Sequence, residues 1–393
     1  MLAQGLRAFA YGFGALLIGT TLRARGLSSA AIGGVLAAMV AGTILSSLAT
    51  GRFADRLGRR RCYAGLFLAL ALAGALFALS ASVAVLVVVA LSGTLSTDIV
   101  DNGPFTTLEQ AMLATDLAGR ERVRGFGLYN AVAAGAGSLG ALAAGGPAAL
   151  RRYLPAIPSD QHLFLLFVPV ALAGALVAST LSAQVEPHGA TRAARGRLGS
   201  SRPAVVRLSA LFATDAFGGG LVVPAFIAYW FSERFHTPLS TLGVVFFGVG
   251  LLQVISFFAA TALARRFGLL ATMVFSHLPS NALLAAIAFA PNAPAAIALL
   301  LARALLSQMD VPTRQAYVMA LVSPAERTAA AAYTNSARYS ARPLGPLLAG
   351  LSQSLFMGLP FLVAGTVKGA YDLALWRWFR SVPLPGERAE PAD

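Results

Sequence analysis

Residues Gly51 to Arg61 read Gly-Arg-Phe-Ala-Asp-Arg-Leu-Gly-Arg-Arg-Arg and separate two long apolar runs of the sequence. Nearly half of this short stretch is arginine. Positive residues collect in the short cytoplasmic connections of membrane proteins. The stretch therefore predicts a cytoplasmic loop that fixes the orientation of the segments on either side.

The spacing within this stretch adds to what its charge indicates. Gly51, Asp55-Arg56, Gly58 and Arg59-Arg60 resemble the signature Gly-x-x-x-Asp-Arg/Lys-x-Gly-Arg/Lys-Arg/Lys of the major facilitator superfamily, which lies between its second and third helices. Glycines permit a tight turn, and an acid among arginines can contact a neighbouring helix end. We therefore expect a gating role for Gly51, Asp55, Arg56, Gly58 and Arg59. The alternative is an ordinary positive-inside loop.

The composition is that of a membrane protein. Of the 393 residues, 57% are hydrophobic and only 12% are charged, with a mean hydropathy of +0.71. A spanning helix needs about 20 apolar residues, so the chain accommodates about a dozen spans. The net charge of +14 reflects this topology, because most of the basic residues fall in loops assigned to the cytoplasm, and no nucleic-acid partner is expected.

The resemblance implies an all-α membrane protein with twelve transmembrane helices in two six-helix pseudo-repeats, with both termini in the cytoplasm. The sequence divides accordingly into an amino-terminal bundle (1–183), a cytoplasmic linker loop (184–207), a carboxy-terminal bundle (208–380) and a cytoplasmic tail (381–393). The linker is polar and basic, which is typical of a flexible connection. We predict helices at residues 6–22, 30–50, 63–80, 83–103, 125–150, 162–183, 208–231, 242–263, 270–290, 293–308, 328–357 and 359–379.

The two halves of the sequence match each other at fixed offsets. An offset of 205 residues places Gln110-Ala111 on Gln315-Ala316, and an offset of 210 places Gly58 on Gly268. Parallel repeats of this kind have their substrate site near the middle of the membrane, between the halves.

Four ionisable residues within predicted spans are candidates for the solute and coupling cavity. A charge at the centre of a spanning helix costs roughly 2.5 to 3.5 kcal/mol on insertion scales, so each needs an explanation. The resemblance implies that helices 1, 4, 7 and 10 line the cavity, and these helices carry Arg7, Asp98, Asp215 and Arg303. We expect the four to form one charged cluster. The alternatives are structural ion pairs, or positions near the cytoplasmic headgroups for Arg7 and Asp98.

Asp215 is our candidate for a protonatable coupling residue, because desolvation in such a cavity disfavours the charged carboxylate. Arg303 keeps its proton and must find an anion, water or a carboxylate, so we expect it to hold Asp215 charged, or to accept an anionic group of the solute when Asp215 is protonated.

Charged residues near Pro104 and Pro312 are candidates for an inner gate. Proline breaks a helix, so Glu109, Asp310 and Arg314 should lie at the cytoplasmic ends of helices 4 and 10 and pair with the basic loops. The alternative is that they simply mark helix ends.

Lys368 is the only lysine of the chain, and Asp372 follows one helical turn later. This spacing places both side chains on one face of helix 12 and favours a structural ion pair, with a coupling role as the alternative.

Enzyme and metal-site signatures are absent from the sequence. The sole lysine precedes Gly369 rather than completing a Walker loop, the four histidines give no His-x-x-x-His pair, and the single cysteine, Cys62, excludes a cysteine cluster. We therefore expect no enzymatic activity, no cofactor and no metal.

The predicted function is secondary active transport of a small solute by alternating access, as proton-coupled efflux, by a monomer in the plasma membrane. Its expected partners are the lipid bilayer, the solute and protons. A passive facilitator and an uptake symporter are alternatives within transport. A non-transporting membrane sensor or scaffold is the alternative of another class.

Overall fold

The chain is helical in its computed structural model, which describes residues 1–80, 82–96, 103–116, 119–151, 153–182, 185–186, 198–199, 201–323 and 326–382. These residues contain no β-strand. Their helices are α1 (Leu2–Ala24), α2 (Ser29–Leu57), α3 (Arg59–Leu79), α4 (Val83–Leu91), α5 (Pro104–Asp116), α6 (Gly119–Leu150), a 3-10 helix (His162–Leu166), α7 (Phe167–Ser179), α8 (Arg202–Leu221), α9 (Pro224–Phe235), α10 (Leu239–Phe267), α11 (Leu269–Ile287), α12 (Ala293–Ser307), α13 (Asp310–Leu321), α14 (Arg327–Ala341), α15 (Leu344–Ser352) and α16 (Leu359–Phe379).

Nine helical segments within the described ranges are long and apolar enough to cross a membrane. Several predicted spans consist of two shorter helices in succession, such as α8 and α9 (predicted 208–231), or α14 and α15 (predicted 328–357). In the first of these pairs the second helix begins at Pro224, as expected for a residue that is preorganised for the first helical turn. The all-α membrane class is confirmed, whereas the count of twelve spans and the cytoplasmic termini remain predictions.

The loop predicted over Gly51 to Arg61 is wrong in extent, because both helices continue into this stretch and only the tight turn expected of its glycines remains, at Gly58. α2 ends at Leu57, Gly58 has a φ of +91°, and α3 begins at Arg59. The matching turn in the second half is Gly268, with a φ of +83°, between α10 and α11. Glycine adopts this backbone conformation without the steric cost that other residues meet. The offset of 210 residues therefore joins equivalent turns of the two repeats.

The described helices pack into two units. One unit consists of Met1–Ala190, Val223–Leu251 and Pro346–Ser354. We call it the first unit, and the second unit consists of Thr191–Val222, Leu252–Gly345 and Leu355–Asp393. Packing thus distributes the second half of the sequence over both units. The predicted division at residues 184–207 remains a prediction about the sequence repeats.

Within the first unit, segments from the second half of the sequence contact the connection between α1 and α2. Arg23 forms a salt bridge of 3.0 Å with Glu233 of α9, and the Ser29 hydroxyl lies 2.9 Å from the Tyr229 hydroxyl. α2 also meets α15 backbone to backbone, since a Cβ on Gly33 would lie 2.5 Å from the Pro346 carbonyl oxygen. Small residues permit this close approach of helices in lipid.

The second unit is built around α8, α11, α13 and α16. α11 packs against α12, α13 and α16, and α8 packs against α14 and α16. Phe212, Tyr317 and Tyr371 are among the buried residues of its apolar core. Charged side chains that point into this unit are therefore removed from water.

Candidate functional site

A buried carboxylate in the first unit, that of Glu109 on α5, is surrounded by donors. Arg7 donates to Oε1 from Nε (3.1 Å) and to Oε2 from Nη2 (2.8 Å). The Tyr63 hydroxyl donates to Oε1 and the Tyr129 hydroxyl to Oε2, both at 2.7 Å. Gln4 donates to the backbone oxygen of Tyr129 at 2.6 Å. We call these five residues the Glu109 cluster.

The Glu109 cluster is neutral, and each carboxylate oxygen accepts two hydrogen bonds. The Arg7 guanidinium also lies 5.2 Å from the centre of the Tyr11 ring and 5.9 Å from that of Phe105, within cation–π range. A cavity of about 290 Å³ adjoins the cluster and is lined by Met1, Leu2, Ala3, Gln4, Tyr63, Glu109, Met112, Leu113, Tyr129, Val177, Leu181 and Val185.

The predicted pairing of Glu109 with the basic loops is wrong. Pro104 begins α5 instead of ending a helix, so Glu109 lies within α5 and is only 7% exposed. Its partner Arg7 was predicted to join Asp98, Asp215 and Arg303. Asp98 lies outside the described residues, and Arg7 is bonded within the first unit.

A second group of buried polar residues lies in the second unit, around the carboxylate of Asp215 on α8. Lys368 of α16 donates to Oδ1 of Asp215, and Arg314 of α13 lies 3.4 Å from Oδ2. Arg314 also forms a salt bridge of 2.6 Å with Asp310, one turn earlier on α13. We call the group the Asp215 cluster, and its members are Asp215, His277, Asn281, Asp310, Arg314, Lys368 and Asp372.

His277 of α11 lies between two carboxylates of the Asp215 cluster. Its Nδ1 is 2.9 Å from Oδ1 of Asp372, and its Nε2 is 3.9 Å from Oδ1 of Asp215. Asn281 donates to Oδ2 of Asp372 at 2.8 Å. His277 therefore hydrogen-bonds to Asp372 and lies within ion-pair distance of Asp215.

The predicted ion pair between Lys368 and Asp372 is wrong. Lys368 pairs with Asp215, whereas Asp372 bonds to His277 and Asn281. Both residues share one face of α16 as the spacing indicated, but α8 and α11 supply better-placed partners for each.

The predicted pairing of Asp310 and Arg314 with the basic loops is also wrong. Pro312 lies in the first turn of α13, where its missing N–H is no loss, and the helix continues to Leu321. Asp310 and Arg314 are therefore buried and bond to each other and to Asp215.

Two partly buried arginines of the second unit have no bonded partner among the described residues. The side chains of Arg303 on α12 and Arg338 on α14 form no hydrogen bond or salt bridge with any residue in the described part of the chain, and the Nε of each is buried. The charges of Asp215 and Asp310 nevertheless act on both guanidinium groups. Arg303 was predicted to be a partner of Asp215; it lies in the same unit but is not bonded to it.

Solved transporter structures match the chain over nearly its whole length. No protein-family model matches it. A bacterial homologue of the human lysosomal transporter Spinster is 15% identical, with a TM-score of 0.76, over 100% of this chain and 97% of that chain. The xylose transporter XylE from E. coli is 15% identical, with a TM-score of 0.71, over 96% and 95%. The nucleoside transporter NupG is 14% identical, with a TM-score of 0.71, over 96% and 97%.

The chain has the major facilitator superfamily fold. The fold that the Gly51 to Arg61 stretch led us to expect is thereby confirmed. An uncharacterized membrane protein of Saccharomyces cerevisiae is 24% identical over 413 residues, which cover 96% of this chain and 92% of that protein.

The superfamily signature occupies the end of α2 and the start of α3. Gly51 and Arg56 are exposed, and Asp55 lies in α2 with a side chain outside the described set. Glu186 accepts hydrogen bonds from the backbone N–H groups of Arg59 (2.7 Å) and Arg60 (3.1 Å). It thereby satisfies donors that every helix start leaves unpaired. The gating role of the signature residues remains a prediction.

Several members of the two clusters were not predicted from the sequence. Nothing in the sequence indicated that Tyr63 and Tyr129 belong to a buried polar cluster, because tyrosine is common in spanning helices at either membrane interface. For His277 and Asn281 the sequence did give an indication, since two polar residues four apart in an apolar helix share a face. Within the described ranges, no group of three or more His, Cys, Asp or Glu side chains could hold a metal ion.

Proposed function

We propose that the protein is a secondary active transporter that moves a small solute by alternating access and couples this movement to protons. The observation that carries the proposal is the Asp215 carboxylate, buried in a membrane-spanning helix and in contact with Lys368, Arg314 and His277. Buried ionisable groups in spanning helices mark ion pathways and proton relays. The fold supports transport as the general activity.

Protonation of Asp215 would change the bonds that hold three helices together. The ionised carboxylate ties α8 to α16 through Lys368 and to α13 through Arg314. A neutral carboxyl group holds these cations much less strongly, because the attraction between opposite charges is lost. His277 and Asp372 provide a second proton position beside it. Proton binding is thus linked to helix packing, as coupled transport requires.

Alternating access requires a face that opens and closes. In the first unit, α9 and α15 close the face at the α1–α2 connection through Tyr229, Glu233 and the Gly33 contact. With the amino terminus in the cytoplasm, as predicted, this is the outer face. The proposal includes that orientation, a plasma-membrane location, a monomeric transporter and an inner-gate role for the signature turn. Efflux is the direction predicted from the sequence, and an uptake symporter is the alternative that the proton-exchange test separates from it.

The test is proton exchange between the detergent-purified protein and a weakly buffered solution when a solute is added. Uridine, xylose, succinate and choline serve as probes. Wild type is compared with Asp215→Asn and with Asp160→Asn, a control carboxylate that pairs with Arg151 at 2.6 Å away from the cluster.

A proton signal in wild type and Asp160→Asn that is lost in Asp215→Asn supports coupling at Asp215. Proton release indicates exchange and hence efflux, whereas proton uptake indicates co-transport. No proton signal with a probe that binds, as shown by a raised Tm, contradicts the proposal and leaves a passive facilitator.

A further inference from the structure

Arg303 and Arg338 of the second unit are cations without a counter-ion among the described residues. An arginine side chain keeps its proton at any physiological pH, so these charges persist. Half-buried guanidinium groups with buried, unpaired Nε atoms are costly unless an acceptor arrives from outside the protein.

The acidic residues nearby are already engaged. Asp215 bonds to Lys368 and Arg314, Asp310 bonds to Arg314, and Asp372 bonds to His277 and Asn281. Around the Asp215 cluster, four cations (Arg303, Arg314, Arg338 and Lys368) therefore stand against three carboxylates (Asp215, Asp310 and Asp372). The balance favours a ligand that brings negative charge.

We propose that Arg303 and Arg338 bind an anionic group of the transported solute, either a carboxylate or a phosphate. The inference rests on the proposed function, because it assigns the solute of that same transporter. Planar guanidinium groups recognise such oxyanions through two parallel hydrogen bonds, which gives both affinity and orientation. Neutral or cationic solutes would leave the surplus charge uncompensated.

An anionic solute also determines the sign of coupling. A negative group bound near Asp215 and Asp310 repels their charges and favours a proton on one of them. The groups that face these carboxylates are His277 on α11, Arg303 on α12, Arg314 on α13, Arg338 on α14, and Lys368 and Asp372 on α16. Solute and proton should therefore bind together, which favours co-transport over the efflux predicted from the sequence.

The test is anion-dependent thermal stabilisation of the detergent-purified protein at constant ionic strength. Succinate, inorganic phosphate and glutamate are the anionic probes, with xylose as the neutral control and choline as the cationic control. Arg303→Gln, Arg338→Gln and the double variant are compared with Arg207→Gln, which removes an exposed arginine of α8 in the same unit.

At least one anion should raise the Tm of wild type and Arg207→Gln, while xylose and choline do not. Each single variant should bind that anion about 10- to 100-fold more weakly, the size expected of one charge-assisted contact, and the double variant should show no response. The inference is overturned if no anion acts on wild type, or if the double variant, folded and with an unchanged baseline Tm, retains the full response.

The same variants separate a solute from a lipid headgroup. Nanodiscs of phosphatidylcholine with and without phosphatidylglycerol replace the detergent. An arginine-dependent response to free anions in both lipids supports the inference, whereas stabilisation by phosphatidylglycerol alone assigns the arginines to lipid and overturns it. Arginine-dependent anion binding without any proton signal supports this inference but contradicts proton coupling. A proton signal with xylose that persists in the double variant supports proton coupling but contradicts this inference.

Discussion

The two buried clusters stabilise carboxylates inside the membrane in different ways. In the Glu109 cluster, one carboxylate accepts four hydrogen bonds from three side chains, and the charges of Arg7 and Glu109 cancel. In the Asp215 cluster, three carboxylates share a lysine, an arginine and a histidine, and Arg314 approaches Asp215 only to 3.4 Å. The first arrangement is complete, whereas the second can gain a proton or an anion.

This difference separates a structural role from a functional one. A proton added to Glu109 would weaken every bond of a saturated carboxylate and gain nothing in return. A proton added to the Asp215 cluster has alternative positions at His277 and Asp372, and it frees Lys368 for another acceptor. We therefore propose helix packing as the role of the Glu109 cluster and coupling as the role of the Asp215 cluster.

The largest effect should follow from Arg7→Met. It leaves Glu109 charged, buried and without its cation, so the free energy of unfolding should fall by about 3 to 5 kcal/mol. Denaturant unfolding in detergent measures this, with Arg207→Met as the exposed control. The double variant Arg7→Met with Glu109→Leu should recover most of the loss, and equal losses in the single and double variants would contradict the pairing.

Lys368→Met should cost less stability, about 2 kcal/mol, because Asp215 keeps Arg314 and can accept a proton. Its effect on transport should be larger than that of Arg7→Met at equal folded fraction. Unfolding and solute uptake into liposomes, measured on the same preparations, check both. The comparison between the clusters breaks down if Lys368→Met is as destabilising as Arg7→Met and leaves transport intact.

The sequence predicted the fold through features that are local or repeated. The glycine turn at Gly58 and its match at Gly268 needed only spacing, since a turn is decided by neighbouring residues. The clusters depend instead on how each helix is rotated about its axis, which local spacing does not determine. Lys368 was assigned to Asp372 because they are one turn apart, but its partner lies 153 positions away in Asp215.

Tyr63→Phe tests the claim that the hydrogen bonds to the Glu109 carboxylate are complete and serve a structural role. It removes one of four hydrogen bonds and should lower the free energy of unfolding by about 1 kcal/mol without changing transport per folded molecule. Tyr333→Phe, at an exposed position of α14, serves as the control for both measurements. A loss of transport in Tyr63→Phe at unchanged stability would assign a functional role to the Glu109 cluster.

Glu326, which lies outside the spanning segments, should give the smallest effect. It provides a reference for how much one carboxylate that gains a proton changes the stability of this protein. Hydrogen bonds from the Ser201 hydroxyl, the Gly199 amide and the Ser323 hydroxyl hold its pKa at about 2, below the ordinary 4.5. The folded state therefore binds fewer protons than the unfolded state between these values, and the contribution is present above pH 4.5 and lost as the pH falls towards 2.

Glu326→Gln should accordingly lower the Tm slightly at pH 7 and reduce its fall between pH 5 and 3, as measured by thermal unfolding at each pH. An identical acid dependence in wild type and variant would contradict the assigned hydrogen bonds.

The most direct test of the central claim compares the two carboxylates in one experiment. Proton exchange on addition of a binding solute is measured per folded molecule in wild type, Asp215→Asn and Glu109→Gln, with Tyr63→Phe as a milder change to the same cluster. The account predicts that Asp215→Asn loses the proton signal and that Glu109→Gln and Tyr63→Phe keep it. A signal that persists in Asp215→Asn and disappears in Glu109→Gln would contradict it.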